Sequence, residues 1–200
     1  MEQVRSFIAI ELPDEVKAAL IQMQSRLKSG EQYPVKWVNP YSIHLTLKFL
    51  GDVAIARLGE IAKAIEAAVQ GIPPLHLEVK DLGVFPNPRR VQVIWVGIGG
   101  DIDRLGQLQQ RLEANLAPLG FPPESRSFTP HLTLARVRER ASFEERQNLG
   151  RLIASTSFEE THEIHVNAVS LMKSQLTREG AIYSQISAIK LRNPLPTNDI

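Results

Sequence analysis

The chain has 200 residues, of which 43% are hydrophobic, and a formal net charge of +1. This length fits one domain with a buried core, and the near-neutral charge argues against a broadly basic surface for nucleic acids. The chain has no cysteine, which excludes disulfides and thiolate chemistry. The apolar run near the start is too short for a signal peptide or a membrane span, so we expect a soluble cytoplasmic protein that does not bind membranes.

The first half of the chain alternates between strand and helix patterns. Asp14 is expected to cap the first helix, because its carboxylate suits an N-cap position. A loop is expected around Pro86 and Pro88, and the strand before Gly51 is expected to stop there. The predicted strands are residues 4–12, 43–50, 75–82 and 91–98, and the predicted helices are residues 14–28 and 55–69.

The second half follows a similar pattern. Asp101 is expected to cap a helix, and Ser142 with Glu145 three residues later resembles a capping box. A hairpin is predicted near the end, and the tail after Asn193 is expected to be loose. The predicted helices are residues 101–116 and 142–153, and the predicted strands are residues 128–137, 162–176 and 181–191.

The phrase HLTL occurs twice, at residues 44–47 and 131–134, each time within an apolar, β-prone run. Residues i and i+2 of a strand share a face, so His44 lies beside Thr46 and His131 beside Thr133. The leucines take the opposite faces and are expected in the core. We therefore predict that the two polar faces meet across one cleft.

A longer repeat accompanies the two phrases. Their histidines are 131 − 44 = 87 residues apart. A shift of 87 residues carries the first strand onto the strand at 91–98, Asp14 onto Asp101, and the helix at 55–69 onto the helix at 142–153. This order predicts two similar α+β halves, each with one HLTL strand.

Two imidazoles on opposite sides of a substrate suit acid–base catalysis near neutral pH. One can take a proton from water while the other gives a proton to a leaving oxygen. The hydroxyls of Thr46 and Thr133 can hydrogen-bond the non-bridging oxygens of a phosphate, which suits in-line attack at phosphorus. The sequence is symmetric on the question of which histidine is the acid.

With these motifs the chain resembles the RNA 2′,3′-cyclic phosphodiesterases of the two-histidine (2H) phosphoesterase superfamily, which includes bacterial and archaeal 2′-5′ RNA ligase-like proteins. Two HxTx motifs define that superfamily, and both stand here as HLTL. The resemblance covers nearly the whole chain. Its other matching segments are FIAI at 7–10, WV at 37–38, HLTLKFLG at 44–51, GVFP at 83–86, residues 93–97, PHLTLAR at 130–136 and LMKSQLTREGAIY at 171–183.

The resemblance implies one bilobal α+β domain spanning residues 1–200, with antiparallel sheets lining a central cleft and helices outside. It implies metal-independent hydrolysis of RNA 2′,3′-cyclic phosphate ends, or of nucleoside cyclic phosphates, to a 2′-phosphate, without a cofactor. His44 would be the general acid, His131 the general base, and Thr46 and Thr133 the phosphate ligands. Some members also join RNA ends through a 2′-5′ bond. We expect a monomer.

Other side chains are candidates for binding the substrate. Lys48 lies two residues beyond Thr46, which places it on the cleft face, where it would either help to neutralise phosphate or be an ordinary solvated lysine. Arg136 matches the family motif, although its odd spacing from His131 places it on the leucine face unless the strand bulges. Phe85 and Tyr183 are candidates for stacking a base. The remaining candidates are Trp37, for which core packing is the better expectation, and four arginines for the RNA backbone: Arg89, Arg90, Arg126 and Arg138. For each arginine taken alone, an ordinary surface charge is the better expectation.

Two other interpretations of the motifs are less well supported. A zinc site needs three or four ligands, whereas the two phrases supply two histidines with no carboxylate nearby. The second interpretation uses the same residues, but they would form a non-catalytic RNA- or nucleotide-binding module on this scaffold. The presence of both histidines and both threonines favours the enzyme.

Overall fold

The structure of the protein, a computed structural model, describes residues 2–30, 32–158, 161–177 and 181–192. The predicted loose tail after Asn193 and most of the predicted hairpin turn, residues 178–180, lie outside the described residues. None of the helices in the described ranges is long and apolar enough to cross a membrane.

The predicted strands and helices appear in the expected order with shifted ends, except that a short strand at residues 35–37 was not predicted and residues 162–176 form two strands. The strands are β1 (Gln3–Ile10), β2 (Val35–Trp37), β3 (Leu45–Ala54), β4 (Leu75–Phe85), β5 (Val93–Gly100), β6 (His131–Val137), β7 (His162–Val166), β8 (Ala168–Leu176) and β9 (Ala181–Lys190). The helices are α1 (Asp14–Lys28), α2 (Leu58–Val69), α3 (Ile102–Leu116) and α4 (Phe143–Ala154).

The strands form two antiparallel sheets. The first sheet has the order β3-β1-β8-β9, and the second has the order β2-β6-β5-β4-β7. The first HLTL strand, β3, is an edge strand of the first sheet, and the second HLTL strand, β6, belongs to the second sheet. The predicted α+β fold with two antiparallel sheets is therefore confirmed.

The two halves of the sequence exchange their last strands. β4 follows α2 in the chain but pairs with β5 in the second sheet, and β8, which follows β7 near the end of the second half, pairs with β1 in the first sheet. The prediction of one strand over residues 162–176 is wrong, because the chain leaves the second sheet at Asn167. β7 pairs with β4, whereas β8 pairs with β1 and β9. Each sheet is thus built from both halves.

The leucines of both HLTL phrases lie in one continuous hydrophobic core. Leu45, Leu132 and Leu134 are fully buried, and Leu47 is 3% exposed. The helices pack on the same side: α1 contacts β7, α4 contacts β4, and α3 contacts both β3 and α2. The burial of the leucines leaves the histidines and threonines on the opposite face of each sheet.

One of the three predicted helix caps is confirmed in full. Ser142 Oγ accepts a hydrogen bond from the Glu145 amide at 3.1 Å, and the Glu145 carboxylate accepts one from the Ser142 amide at 2.7 Å. The prediction for Asp14 is wrong, because Pro13 occupies the N-cap and Asp14 is the first helical residue. Asp101 is an N-cap by position, but its carboxylate accepts from the His76 amide instead of the helix.

Candidate active site

The two motif histidines are held by the same local hydrogen bond. His44 Nδ1 donates to the Ser42 carbonyl at 2.9 Å, and His131 Nδ1 donates to the Thr129 carbonyl at 2.7 Å. A carbonyl oxygen can only accept, so the hydrogen of each neutral ring is on Nδ1. Nε2 is then left with its lone pair, available to take a proton from a substrate or from water.

Each HLTL strand carries a β-bulge at the second leucine of the phrase. In the first sheet Ala9 pairs with Thr46 and Ile8 with Lys48, so Leu47 has no partner. In the second sheet Trp95 pairs with Thr133 and Ile94 with Ala135, so Leu134 has no partner. A bulge adds one residue to a strand, and it therefore reverses the alternation of side chains beyond that point.

The first bulge turns Lys48 into the core. Its side chain is 3% exposed, and its ammonium group donates to the Glu113 carboxylate at 2.6 Å and to the Pro122 carbonyl at 2.9 Å. Gln109 holds the other oxygen of the same carboxylate at 2.9 Å. The prediction that Lys48 lies on the cleft face and neutralises phosphate is wrong, because the bulge places it on the side of α3.

The second bulge has the opposite consequence for Arg136. Alternation without a bulge would place this residue among the leucines, and the bulge, which the sequence left open, avoids that placement. Beyond the bulge Arg136 pairs with Val93 and is exposed, on the face that also carries His131 and Thr133. The shared geometry of the two bulges thus removes a lysine from one polar face and adds an arginine to the other.

Aromatic side chains enclose His44. The Phe7 ring stacks on the imidazole with 4.5 Å between centroids and 26° between planes, and the Tyr183 ring meets it edge-on at 5.0 Å. Phe7 and Tyr183 also contact each other at 5.1 Å. Phe49, which is 62% exposed, lies 6.3 Å from Phe7 on the same face. These contacts fix the plane of the His44 ring.

His131 has its own aromatic neighbours. Phe85 meets the imidazole edge-on at 4.9 Å, and the Trp95 ring lies 6.2 Å from it. Phe85 and Trp95 are 5.1 Å apart. Gly83 allows this arrangement, because a Cβ at that position would collide with the Trp95 indole. Phe85 and Tyr183 therefore lie beside the two imidazoles, and their predicted role in stacking a base stays a prediction.

The two motif strands lie close to each other. Cα atoms of β3 and of β6 come within 8 Å, although the strands belong to different sheets. Trp37 lies elsewhere, packed against the core with the Lys28 ammonium group 5.0 Å above its ring, as expected. Arg89, Arg126 and Arg138 are not buried, and their predicted contacts with RNA stay predictions.

The charges around the two imidazoles differ. Burial lowers the pKa of His44 below its usual value, while the Ser42 carbonyl and the Glu11 carboxylate act in the opposite direction. Burial also lowers the pKa of His131, the Thr129 carbonyl opposes it, and the Arg136 guanidinium lowers the pKa further. A carboxylate thus acts on one ring and a cation acts on the other.

Glu11 is a residue that sequence reasoning missed. It follows the end of β1, where Ile10 pairs with Leu45, so the next position of the register faces His44. Its carboxylate accepts hydrogen bonds from Gln185 Nε2 at 2.6 Å and Ser170 Oγ at 3.1 Å. The available signal was a charged residue directly after a buried strand. Phe7 and Trp95 were missed as well, because only strand pairing shows that they neighbour the histidines.

The other histidines lie outside these two groups. His76 and His165 face each other across β4 and β7, with their Nδ1 atoms 2.9 Å apart, and both are exposed. In the ranges that the structure describes, no three histidine, aspartate or glutamate side chains are grouped in a way that would hold a metal ion.

Comparison with known proteins identifies the family. The family described as LigT like Phosphoesterase matches residues 10–95 and 97–183. The chain belongs to the LigT-like phosphoesterase family. The two matched segments begin 97 − 10 = 87 residues apart, which is the spacing of the two HLTL phrases. Membership of the LigT-like family confirms the predicted kinship with the 2H phosphoesterases and the prediction of an enzyme.

Several relatives of this LigT-like chain carry the same name. An RNA 2′,3′-cyclic phosphodiesterase of Methanothermobacter thermautotrophicus is 34% identical over 189 residues, which are 94% of this chain and 100% of the relative. An RNA 2′,3′-cyclic phosphodiesterase of Thermotoga maritima is 34% identical over 181 residues, which are 90% of this chain and 91% of the relative.

Solved structures support the LigT-like fold. A crystal structure of a protein from Thermus thermophilus matches with a TM-score of 0.73 at 25% identity. The match covers 94% of this chain and 98% of the Thermus chain. The structure of Escherichia coli LigT in complex with 3′-AMP matches with a TM-score of 0.74 at 24% identity, over 95% of this chain and 99% of its own.

Proposed function

We propose that this protein hydrolyses the terminal 2′,3′-cyclic phosphate of RNA to a 2′-phosphomonoester, with His44 as general acid and His131 as general base. The observation that carries the proposal is the matched pair of imidazoles, each anchored through Nδ1, with His44 directly before β3 and His131 at the start of the neighbouring β6. The substrate is supported by the relatives, several of which are named RNA 2′,3′-cyclic phosphodiesterases.

In this mechanism Nε2 of neutral His131 takes a proton from water as the water oxygen attacks phosphorus. The bond between phosphorus and the 3′ oxygen breaks on the opposite side, and the 3′ oxygen takes a proton from Nε2 of protonated His44. The 2′ oxygen keeps its bond to phosphorus, so the product is a 2′-phosphate. Exchange of protons with solvent then restores His44 to its acid form and His131 to its base form.

The threonines complete the proposed site. Thr46 and Thr133 are half-buried, and each follows its histidine by two residues. Their hydroxyls would donate to the non-bridging oxygens of the phosphate, where negative charge is held during the displacement. Oriented donors at such oxygens are among the strongest sources of transition-state stabilisation.

The charges beside the rings support this division of roles. Burial is the largest influence on both rings and lowers the pKa of each. Beyond that, the Glu11 carboxylate favours the protonated form of His44, which an acid requires, and the Arg136 guanidinium favours the neutral form of His131, which a base requires. The sequence of the two phrases is identical, so the asymmetry comes from their neighbours. The acid–base assignment therefore has physical support that is independent of family resemblance.

The variant Glu11→Gln tests the assignment. Loss of the carboxylate removes an influence that raises the pKa of His44. With less protonated His44 at high pH, kcat/KM is expected to fall at the alkaline end of the pH profile, which depends on the acid. The acidic end should not move, because it depends on the base. A pH–rate profile for a cyclic nucleotide measures both ends.

Glu66→Gln, an exposed carboxylate on α2, is the matched control and should leave the profile unchanged. If His44 were the base, Glu11→Gln would instead raise the rate at the acidic end and leave the alkaline end alone. That outcome would reverse the assignment of the two histidines.

Product analysis tests the proposed reaction. An oligonucleotide with a defined 2′,3′-cyclic phosphate end is incubated with the protein and excess chelator, and the end group is identified. A 2′-phosphate is expected, at a rate that the chelator does not change. A 3′-phosphate product, or a rate abolished by the chelator, would contradict the mechanism. Binding without turnover would favour the alternative, a non-catalytic RNA- or nucleotide-binding module.

A second reaction needs no further residue. If the 5′-hydroxyl of another RNA takes the place of water, the same two proton transfers join the ends through a 2′-5′ bond. The same assay with an added 5′-hydroxyl RNA would show a longer product. A monomer, the absence of a cofactor and a cytoplasmic location stay predictions.

A further inference from the structure

Two cations lie side by side next to the proposed phosphate site. Lys36 of β2 pairs directly with Arg136 of β6, so their side chains share one face of the second sheet. Both residues are exposed, and within the described part of the chain no carboxylate forms an ion pair with either. Like charges directly opposite each other are unfavourable in a sheet, and an anion between them removes that cost.

The distance from the motif suits a chain of phosphates. Thr133 pairs with Trp95 and Arg136 pairs with Val93. Trp95 and Val93 are two residues apart on β5, which is about 7 Å along an extended strand. The Lys36–Arg136 pair therefore lies one short step beyond the threonine that is proposed to hold the reacting phosphate, on the same face of the sheet.

A cavity continues from this point. It has a volume of about 710 Å³, and its lining includes Arg136, Arg90, Arg146 and Phe143, with Glu139 as its acidic member. Arg146 is fixed, because its guanidinium donates to the carbonyls of Val91 at 2.7 Å and Arg138 at 3.1 Å. Phe143 is 59% exposed, so an aromatic surface stands beside the cations.

We propose that Lys36, Arg136 and Arg90 bind the phosphodiester that precedes the terminal nucleotide, so that the preferred substrate is an RNA strand of at least two nucleotides. This inference rests on the proposed function, because it takes the reacting phosphate to lie at the HLTL motifs. Arginine binds phosphate oxygens through two parallel donors, and exposed aromatic rings stack bases of single strands. Phe143 therefore provides a surface for a base further along the strand.

Binding of two product-like ligands tests the subsite. The probes are a nucleoside 2′-phosphate and a dinucleotide with the same 2′-phosphate end, which adds one phosphodiester. The wild-type protein is expected to bind the dinucleotide about tenfold more tightly, as a charge-assisted contact would provide. Lys36→Ala and Arg90→Ala should each remove most of this preference. Lys63→Ala, a lysine on α2, is the matched control and should keep it.

The preference should also weaken as salt rises, because phosphate contacts release bound counterions. Equal affinity of the wild-type protein for the two ligands, or a preference that survives in both variants, would overturn the subsite. Turnover of the dinucleotide with a 2′,3′-cyclic end is measured in parallel. If the wild-type protein binds the dinucleotide more tightly but does not hydrolyse its cyclic end, the proposed reaction is refuted. If it hydrolyses the cyclic end but binds the two product-like ligands equally, only the subsite is refuted.

Discussion

Replacement of His131 by alanine is expected to lower kcat/KM for a 2′,3′-cyclic phosphate about a thousandfold, within the range that general acid–base groups contribute. The loss follows because the attacking water would have no base to take its proton. His44→Ala should cost a similar factor, since the 3′ oxygen would leave without a proton. Initial rates on a cyclic mononucleotide measure both effects.

Both histidines are half-buried, so unfolding curves should show that the two variants remain folded. His165→Ala, an exposed histidine on β7, is the control and should keep the wild-type rate. If His44 and His131 act in the same step, the double variant should be about as slow as the slower single variant. Wild-type rates in both single variants would refute the two-histidine mechanism.

Replacement of Lys48 by alanine is expected to lower the free energy of unfolding by about 3–5 kcal/mol, because it leaves a buried carboxylate without its partner. The Lys48 and Glu113 side chains are 2% and 10% exposed, and their charged groups are 2.6 Å apart. Denaturant unfolding measures the change. The fraction of the variant that is folded should keep a rate close to that of the wild type, since Lys48 points away from the imidazoles.

The double variant Lys48→Met with Glu113→Leu is the matched control. Removal of both charges leaves no unpaired ion in the core, so the double variant should be more stable than Lys48→Ala. A Lys48→Ala protein with unchanged stability and a large loss of phosphate binding would contradict the structural role and restore the role that simple alternation predicts.

The features that local sequence determines were predictable. The Ser142 capping box depends on residues three apart, and the HLTL phrases show their buried and polar faces through alternation alone. The bulges at Leu47 and Leu134 were not predictable, because a bulge exists only relative to the partner strand. Lys48 was misplaced for that reason, whereas the position of Arg136 was left to depend on whether the strand bulges.

Other features depend on how distant parts of the chain pair. The sequence repeat indicates two similar halves, but it does not show that each half gives its last strand to the other sheet. Glu11 becomes relevant to His44 only through the register of β1 with β3, and Tyr183 reaches the same ring from β9. The chemical difference between two identical phrases therefore arises from tertiary contacts.

The central claim is that two imidazoles from different sheets act on one phosphorus atom. A crystal structure of the protein with a bound nucleoside 2′-phosphate tests it most directly. Nε2 of His44 and Nε2 of His131 are each expected within hydrogen-bond distance, about 3 Å, of oxygens on or beside the same phosphate. A phosphate that contacts only one of the two rings, with the other turned away, would contradict the claim.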